Sequence, residues 1–322
     1  MTEVAITARG LEFAWNGQTS LCGIDLDVYP GQVFGLVGAD GAGKTTLLRL
    51  LIGQLRPAAG EVRILGRPPG APALRENIAY MPQGFGLYPD LSVRENLEFF
   101  ADLHGLTRVA ATKRIAELLA RTGLAGFEAT RGGNLSGGMM QKLALACALV
   151  SEPRVMFLDE PTTGVDPVSR RAFWRLLEGV SAEGVAILYA TANMEEAERC
   201  DRVGLLSRGR LEAQGTPLEL IARVEGVLLS VSGPGVRERR SVIRGLDGVS
   251  LAFPVGRRLN VWLKRGHSPD RFRARLAAVD PGLTVARIEP TLHDATLHEM
   301  IAAQLAGEGH GTLRDAAGAA RA

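Results

Sequence analysis

A glycine-rich turn between a predicted strand and a predicted helix constrains this chain more than any other feature. The turn reads Gly38-Ala39-Asp40-Gly41-Ala42-Gly43-Lys44-Thr45 and fits the pattern G-x-x-x-x-G-K-[ST]. Its glycines let backbone N–H groups wrap phosphates, and the helix that follows adds the positive end of its dipole. We expect Lys44 to reach the β- and γ-phosphates of a nucleotide and Thr45 to offer its hydroxyl to Mg²⁺. A dinucleotide-binding turn would need glycine where Thr46 stands, so residues 38–46 are predicted to bind a nucleotide through its phosphates.

An acidic pair follows a second apolar run. A buried strand is predicted by Val155-Met156-Phe157-Leu158, and it delivers Asp159 and Glu160 at its carboxyl end. Ligands bind at that end of the strands in open α/β sheets. We expect Asp159 to hold Mg²⁺ through water, and Glu160 to act as general base on the attacking water. An ordinary acidic pair at a Pro161 turn is the alternative, and the phosphate loop in the same chain favours the functional interpretation.

Charge and cysteine content narrow the class of protein. In the 322 residues, 37 Lys and Arg nearly balance 35 Asp and Glu, and the formal net charge is +2. Such a balance argues against nucleic acid as a partner, because broad electrostatic capture of nucleic acid needs a basic surface. Cys22, Cys147 and Cys200 form no CxxC pair. We therefore expect neither a disulfide framework nor a zinc site.

Short apolar runs alternate with helical patterns over the first two thirds of the chain. Strands are predicted at Gln32–Val37, Val155–Leu158, Val185–Leu188 and Val203–Leu206. Between Val93 and Leu124 the pattern is helical throughout, which predicts a mostly α insertion. The alternation predicts an α/β domain over residues 1–225, built on a mainly parallel sheet covered on both faces. A helical subdomain is expected at about 84–150.

The pattern changes near residue 225. Strand-like pieces then alternate with arginine-rich amphipathic stretches such as Arg271–Ala278. This predicts a small accessory α+β domain over residues 226–305. The Ala/Gly-rich segment 306–322 is predicted to be a disordered tail.

Several ordered motifs resemble those of ATP-binding-cassette (ABC) proteins. The segment Leu135-Ser136-Gly137-Gly138-Met139-Met140-Gln141-Lys142 resembles the ABC signature and precedes a predicted helix, Met139–Ser151. Ala79–Gln83 resembles the Q-loop, and Thr163–Asp166 resembles the D-loop. A bare Leu-Ser-Gly-Gly could be explained by helix capping through Ser136. The order and spacing of the motifs favour membership of the ABC family over this explanation.

The resemblance covers about Val4 to Leu220 and implies a fold and an assembly. The implied fold is a P-loop NTPase cassette, in which an antiparallel β part and an α-helical insertion accompany the mainly parallel sheet. Two cassettes, identical or different, face head to tail in this family, and ATP lies between the phosphate loop of one and the signature of the other. The residues expected to contact ATP across that interface are Leu135, Ser136, Gly137, Gly138 and Gln141, with Ser136 and Gly138 at the γ-phosphate.

The resemblance also implies roles for single residues. Gln83 is expected to sense Mg²⁺ and the attacking water and to couple the site to a membrane partner, which makes Lys44, Gln83 and Glu160 the implied catalytic set. Asp166 is expected to bridge the two cassettes. Trp15 stands where the family usually places an aromatic that stacks on adenine, and a core or hairpin aromatic is the alternative.

One position departs from the family. After the strand Val185–Leu188 the family usually carries a switch histidine at the γ-phosphate, and alignment of Met194–Glu198 places Ala192 there. Alanine offers neither a hydrogen bond nor a charge to the developing negative charge. One hypothesis is that the chain's own site is slow and its signature completes a faster site on another cassette. The alternative is that Thr191 or Asn193 supplies the polar contact.

Two segments, Gly86–Leu97 and Ala197–Asp201, resemble ABC-2-type exporters, which include drug-export ATPases. This implies an ATPase that uses ATP and Mg²⁺ to power export through a separate membrane permease. A regulatory nucleotide-binding cassette with little turnover and an importer ATPase are the alternatives. No run reaches the ~18 apolar residues of a membrane-spanning helix. We expect a cytoplasmic chain, held on the inner face of the membrane by its partner.

Overall fold

The computed structural model describes residues 3–84 and 86–298, and the chain divides into two compact units, Met1–Pro217 and Leu218–Ala322. The strands of the first unit are β1 (Ile6–Trp15), β2 (Gln18–Val28), β3 (Val33–Val37), β4 (Ala59–Ile64), β5 (Ile78–Met81), β6 (Val155–Asp159), β7 (Ala186–Thr191), β8 (Arg202–Ser207) and β9 (Arg210–Gly215). Its helices are α1 (Lys44–Leu51), α2 (Val93–Leu103), α3 (Arg108–Thr122), α4 (Gly137–Leu149), α5 (Pro167–Ala182) and α6 (Met194–Ala197), and α7 (Pro217–Arg223) begins at the boundary.

A six-stranded sheet, in the order β5-β6-β7-β3-β8-β9, forms the centre of the first unit. Every neighbouring pair is parallel except β8 and β9, so the predicted mainly parallel sheet is confirmed. Every residue of β3, β6 and β7 is buried, because both faces of the sheet are covered. The carboxyl ends of these three adjacent strands lie at one edge, where they position the site.

A second sheet, β2-β1-β4, is antiparallel and shares the hydrophobic core of the first unit. Strands β1 and β2 form a hairpin in which Trp15 pairs with Gln18. The two residues of its turn, Asn16 and Gly17, have φ values of 47° and 84°. Two positive φ values are typical of the hairpin turn that Asn-Gly favours. This turn fixes Trp15 at the tip of the hairpin.

The helical segment consists of α2, α3 and α4. The segment between Val93 and Leu124, for which a mostly α-helical insertion was expected, contains two helices: α2 ends at Leu103, Gly105 adopts φ 70°, and Thr107 caps the start of α3. Ser136 caps α4, which therefore begins at Gly137, two residues before the predicted start. Short 3₁₀ helices occupy Pro72–Leu74 and Gly132–Asn134.

The second unit contains β10 (Val227–Ser232), α8 (Arg240–Arg244), β11 (Val249–Val255), β12 (Arg258–Leu263), α9 (Pro269–Val279) and β13 (Thr284–Arg287), and residues 292–298 are helical. Its antiparallel sheet has the order β11-β12-β10-β13, which is the split βαβ arrangement. Alternate residues of β10 enter different apolar clusters, Leu229 and Val231 in one and Leu228 in the other. The boundary at 225 and the separate domain remain predictions, and the tail 306–322 lies outside the described residues.

Within residues 3–84 and 86–298, none of the helices combines the length and apolar character that crossing a bilayer requires.

Candidate nucleotide site

The phosphate loop joins the end of β3 to the start of α1, and two of its glycines cannot be replaced without strain. A Cβ at Gly38 would lie 2.3 Å from the carbonyl oxygen of Leu206. Gly43 caps α1 with φ 110°, a backbone conformation that L side chains rarely adopt. The backbone N–H of Gly38 donates to the carbonyl of Thr191 at 3.3 Å, which fixes the loop against the end of β7.

Lys44 is the first residue of α1, and its side chain is folded back over the loop. It is 5% exposed. Its Nζ donates to the carbonyls of Gly38 at 2.7 Å and Ala39 at 3.1 Å. The same Nζ lies 3.0 Å from Glu160 Oε1 and 3.9 Å from Asp40 Oδ1, the latter on a side chain that is 94% exposed. The lysine charge is therefore balanced mainly by Glu160.

Asp159 ends β6 as a buried carboxylate with one free oxygen. The Tyr80 hydroxyl donates to its Oδ2 at 3.4 Å, while Oδ1 has no hydrogen-bond partner among the described residues. Burial raises the pKa of Asp159, and a hydrogen bond from the Thr45 hydroxyl opposes that shift. Burial also raises the pKa of Tyr80, and the charge of Asp159 adds to the effect. A hydroxyl beside an orphaned carboxylate oxygen is a set of hard oxygen ligands that fits Mg²⁺.

Glu160 follows Asp159 in a strained backbone conformation, with φ 47°. Its backbone N–H donates to the Ala190 carbonyl at 2.9 Å, so the residue is held against β7. Gln83 Nε2 and the Thr163 hydroxyl each donate to Glu160 Oε2 at 3.3 Å. The two catalytic candidates beside the lysine, Gln83 and Glu160, are therefore in direct contact with each other.

Lys44, Gln83 and Glu160 line one open cleft of about 330 Å³. Its lining residues are Trp15, Ser20, Asp40, Gly41, Gly43, Lys44, Thr45, Thr46, Gln83 and Glu160. Trp15 is 47% exposed and meets Phe13 edge to face, with ring centroids 5.0 Å apart. Sequence reasoning missed Ser20, because no motif marks it and only the hairpin geometry of β2 brings it here.

The signature residues lie elsewhere, and none of them lines the cleft around Lys44. Ser136 is exposed and accepts a hydrogen bond from the Met139 backbone N–H at 3.3 Å. Gly138 is buried against α5, since an added Cβ would lie 2.2 Å from Ser169 Oγ. The close packing of the two helices therefore requires glycine at this position.

Two signature residues face inward. Gln141 is fully buried, and its Nε2 donates to the Pro161 carbonyl at 2.8 Å. Leu135 is 8% exposed. The expected contact of Leu135 and Gln141 with a nucleotide on another subunit remains a prediction. Gln141 connects α4 to the segment that follows Glu160.

Asp166 caps the N-terminus of α5. Its Oδ1 accepts from the backbone N–H groups of Val168 at 2.9 Å and Ser169 at 3.0 Å. Hydrogen bonds from Ser169 lower the pKa of Asp166. The predicted bridging role across a dimer remains a prediction, and the capping role is what the structure shows.

Ala192 follows β7 and is exposed. The neighbouring Thr191 hydroxyl donates to Glu196 Oε2 at 2.7 Å and accepts from the Asn193 backbone N–H at 2.9 Å. Thr191 is 3% exposed, so its hydroxyl is committed to this local network. Asn193 Oδ1 accepts from the Glu195 backbone N–H at 2.9 Å. These bonds use the hydroxyl of Thr191 and the side-chain oxygen of Asn193. They do not use the side-chain nitrogen of Asn193, which is a polar side-chain atom next to Ala192 in the sequence.

Comparison with known proteins identifies the family. The family model described as ABC transporter matches residues 21–163. Nod factor export ATP-binding protein I of Burkholderia pseudomallei is 40% identical over 238 residues, which cover 73% of this chain and 78% of that protein. The chain belongs to the ATP-binding subunits of ABC transporters. This ABC subunit is also 40% identical over 301 residues to the probable multidrug ABC transporter ATP-binding protein YbhF of Escherichia coli.

The ABC subunit spans about half of YbhF, since the match covers 92% of this chain and 52% of that protein. Solved structures agree with the fold. An ATP-binding subunit of an ABC transporter aligns with a TM-score of 0.62 at 30% identity over 68% of this chain and 92% of its own. The subunit cbiO1 of Clostridium perfringens, part of the complex cbiONQ, aligns with a TM-score of 0.64 at 30% identity over 68% of this chain and 91% of its own. The family match contains Lys44, Gln83, Ser136 and Glu160 but ends before Ala192.

Proposed function

We propose that this ABC subunit binds and hydrolyses ATP with Mg²⁺ and powers export through a separate membrane permease. The observation that carries the proposal is the meeting of Lys44, Gln83 and Glu160 in one cleft, with distances of 3.0 Å and 3.3 Å from Glu160 to the other two. Export is supported by relatives whose names include multidrug transport and Nod factor export. The permease would hold the chain at the inner face of the membrane.

Each side chain in the cleft has a separate role in ATP binding or hydrolysis. Lys44 meets the β- and γ-phosphates, whose negative charge competes with Glu160 for the ammonium group. Glu160, released from that ion pair, accepts a proton from the attacking water, and Gln83 orients that water from the other side. Trp15 stacks on the adenine ring.

The residues that would hold Mg²⁺ are Thr45 through its hydroxyl, Asp159 through water, and Gln83 through its side-chain oxygen. The free Oδ1 of Asp159 supports this assignment. A bound Mg²⁺ neutralises charge on the β- and γ-phosphates during transfer to water.

A second cassette, identical or different, completes the site. The exposed Ser136 and the backbone of Gly137 and Gly138 lie outside the Lys44 cleft, so they are free to contact the γ-phosphate held by a facing cassette. Ser136 caps the amino terminus of α4, and the N-terminus of a helix suits a phosphate. Because Ala192 lacks a donor, we further propose that the chain's own site hydrolyses ATP slowly.

Mg²⁺-dependent phosphate release by the purified full chain tests the proposal, with Glu160→Gln as the diagnostic variant. We expect ATP binding in both proteins and loss of turnover in Glu160→Gln. Glu195→Gln is the matched control, since it removes one exposed carboxylate from α6, outside the cleft. Turnover that survives Glu160→Gln unchanged, or a parent chain that binds no ATP, would contradict the proposed function.

A further inference from the structure

A buried carboxylate lies outside the cleft and contacts the segment that follows Glu160. Glu196 belongs to the short helix α6 and is 2% exposed. It does not line the cleft around Lys44. A buried carboxylate is retained only with strong partners, because removing its charge from water costs several kcal/mol.

The partners of Glu196 come from three separate segments. The hydroxyl of Thr191, at the end of β7, donates to Oε2 at 2.7 Å. The hydroxyl of Thr162, which follows Glu160 and Pro161, donates to Oε1. Arg170 Nε, on α5, lies 3.6 Å from the same Oε1. Each oxygen of the carboxylate therefore receives a donor from a different segment.

The same network extends along the loop of residues 160–166, here called the acidic loop. The Thr162 hydroxyl is 3.2 Å from the Tyr189 hydroxyl, and since the Thr162 proton points to Glu196, Tyr189 is the donor to Thr162. Arg170 Nη2 donates to the Val165 carbonyl at 3.3 Å, directly before Asp166. Glu196 thus contacts the acidic loop near its start through Thr162 and near its end through Arg170.

We infer that Glu196 is a positioning residue for ATP hydrolysis, because it holds the acidic loop against the end of β7 and so sets where Glu160 and Asp166 lie. This inference rests on the proposed function. In a chain with Ala192 after β7, Glu196 is the charged group through which Thr191 and the acidic loop are connected.

The geometry requires a carboxylate rather than an amide. The hydroxyls of Thr191 and Thr162 donate to Glu196, and the Arg170 guanidinium lies within ion-pair distance of it. A glutamine would present its own N–H₂ group to at least one of those donors, and the acidic loop would shift to relieve the mismatch. Small displacements of a catalytic group lower the rate of the chemical step more than they lower the affinity for the substrate.

The test compares Glu196→Gln with Glu195→Gln in the full chain, since both remove one carboxylate from the same helix. For Glu196→Gln we expect kcat to fall about tenfold or more, while KM and the Kd for ATP stay within about twofold. Glu195→Gln is expected to behave as the parent. Thr191→Val removes one of the donors to Glu196, together with the acceptor of the Asn193 N–H, and we expect an intermediate kcat even if Glu196→Gln folds poorly.

Hydrogen–deuterium exchange provides a readout that does not depend on turnover. The amides of Thr163 and Val165 are hydrogen-bonded within the acidic loop. We expect them to exchange faster in Glu196→Gln than in Glu195→Gln, with exchange in β12 unchanged. Unchanged kcat, equal losses in kcat and ATP affinity, or unchanged exchange in the acidic loop would overturn the inference. A parent chain that binds no ATP would refute the proposed function, and the exchange result would still decide whether Glu196 holds the loop.

Discussion

Lys44 Nζ and Glu160 Oε1 form a 3.0 Å ion pair between the phosphate loop and the end of β6. The lysine is 5% exposed and the glutamate side chain 15% exposed, so the pair is shielded from water. In this arrangement the candidate phosphate ligand and the candidate general base neutralise each other. A nucleotide that enters the cleft exchanges the carboxylate for phosphate oxygens at the lysine and leaves Glu160 free to accept a proton.

The first prediction concerns this pair. We expect Glu160→Gln to lower kcat by roughly 10²–10⁴-fold, the usual contribution of general-base catalysis. ATP affinity is expected to rise, because the neutral amide no longer competes with phosphates for Lys44. Equilibrium binding and single-turnover hydrolysis measure the two effects separately. Unchanged affinity would show that the ion pair does not compete with the nucleotide.

The second prediction concerns Trp15, which is 47% exposed at the edge of the cleft. Replacement by alanine is expected to weaken ATP binding roughly fivefold, as the loss of about 1 kcal/mol of stacking implies. Trp15→Tyr keeps a ring and is expected to restore most of the affinity. In the parent, ATP is expected to quench the fluorescence of Trp15, while Trp174 and Trp262 are buried and serve as internal references. Equal ATP affinity of the parent, Trp15→Ala and Trp15→Tyr would show that Trp15 does not contact the nucleotide and serves only the structure of the hairpin.

The third prediction concerns Ala192. If its missing donor makes the site slow, Ala192→His is expected to raise kcat by roughly tenfold or more, the scale of one added transition-state contact. Ala192→Gln adds a polar side chain without an imidazole and is the matched control. A histidine variant with the parent's turnover would show that the site does not depend on this position.

The fourth prediction concerns Gly138. A Cβ there would lie 2.2 Å from Ser169 Oγ and 2.5 Å from Ser169 Cβ. Gly138→Ala is therefore expected to lower the free energy of unfolding by about 1–3 kcal/mol, a typical cost of overpacking. Ser169→Gly removes both atoms and is expected to recover part of that loss in the double variant. Recovered stability with turnover still reduced would separate a catalytic role of Gly138 from its packing role.

The fifth prediction concerns pH. Hydrogen bonds from Ser169 lower the pKa of Asp166 in the folded protein below its ordinary value. A depressed pKa stabilises the fold above the unfolded-state pKa, and that contribution disappears as the pH falls through the folded-state value. We expect the Tm difference between the parent and Asp166→Asn to be constant near neutral pH and to shrink below about pH 4. A difference that is the same at every pH would contradict capping by the charged form.

The sequence predicted the features that depend on local chemistry. The turn from Gly38 to Thr45 needs glycines for its own backbone, and the buried run before Asp159 marks a strand without reference to its neighbours. The pattern between Val93 and Leu124 indicates helices but does not locate the turn at Gly105 between α2 and α3, because apolar residues continue at helical spacing through it. A single glycine in a helical pattern is a weak signal for a turn.

The features that depend on tertiary packing could not be predicted. Gln141 is a polar residue in a motif that also contains the exposed Ser136 and Gly137, and only the packing of α4 against the segment after Glu160 buries it. Tyr80 and Glu196 lay within segments used to identify the family, yet their contacts with Asp159 and Thr162 join residues far apart in the chain. Pair contacts of this kind leave no spacing pattern in a single sequence.

The separation of Ser136 from the Lys44 cleft has a kinetic consequence. If each catalytic site needs the cleft of one molecule and the signature of another, the molecules in a dilute preparation are unpaired and their catalytic sites are incomplete. The rate per molecule is then expected to rise with protein concentration and to reach a plateau once the molecules are paired. A permease that holds two copies side by side would remove this dependence on dilution, and the membrane would then act as the assembly platform for the enzyme.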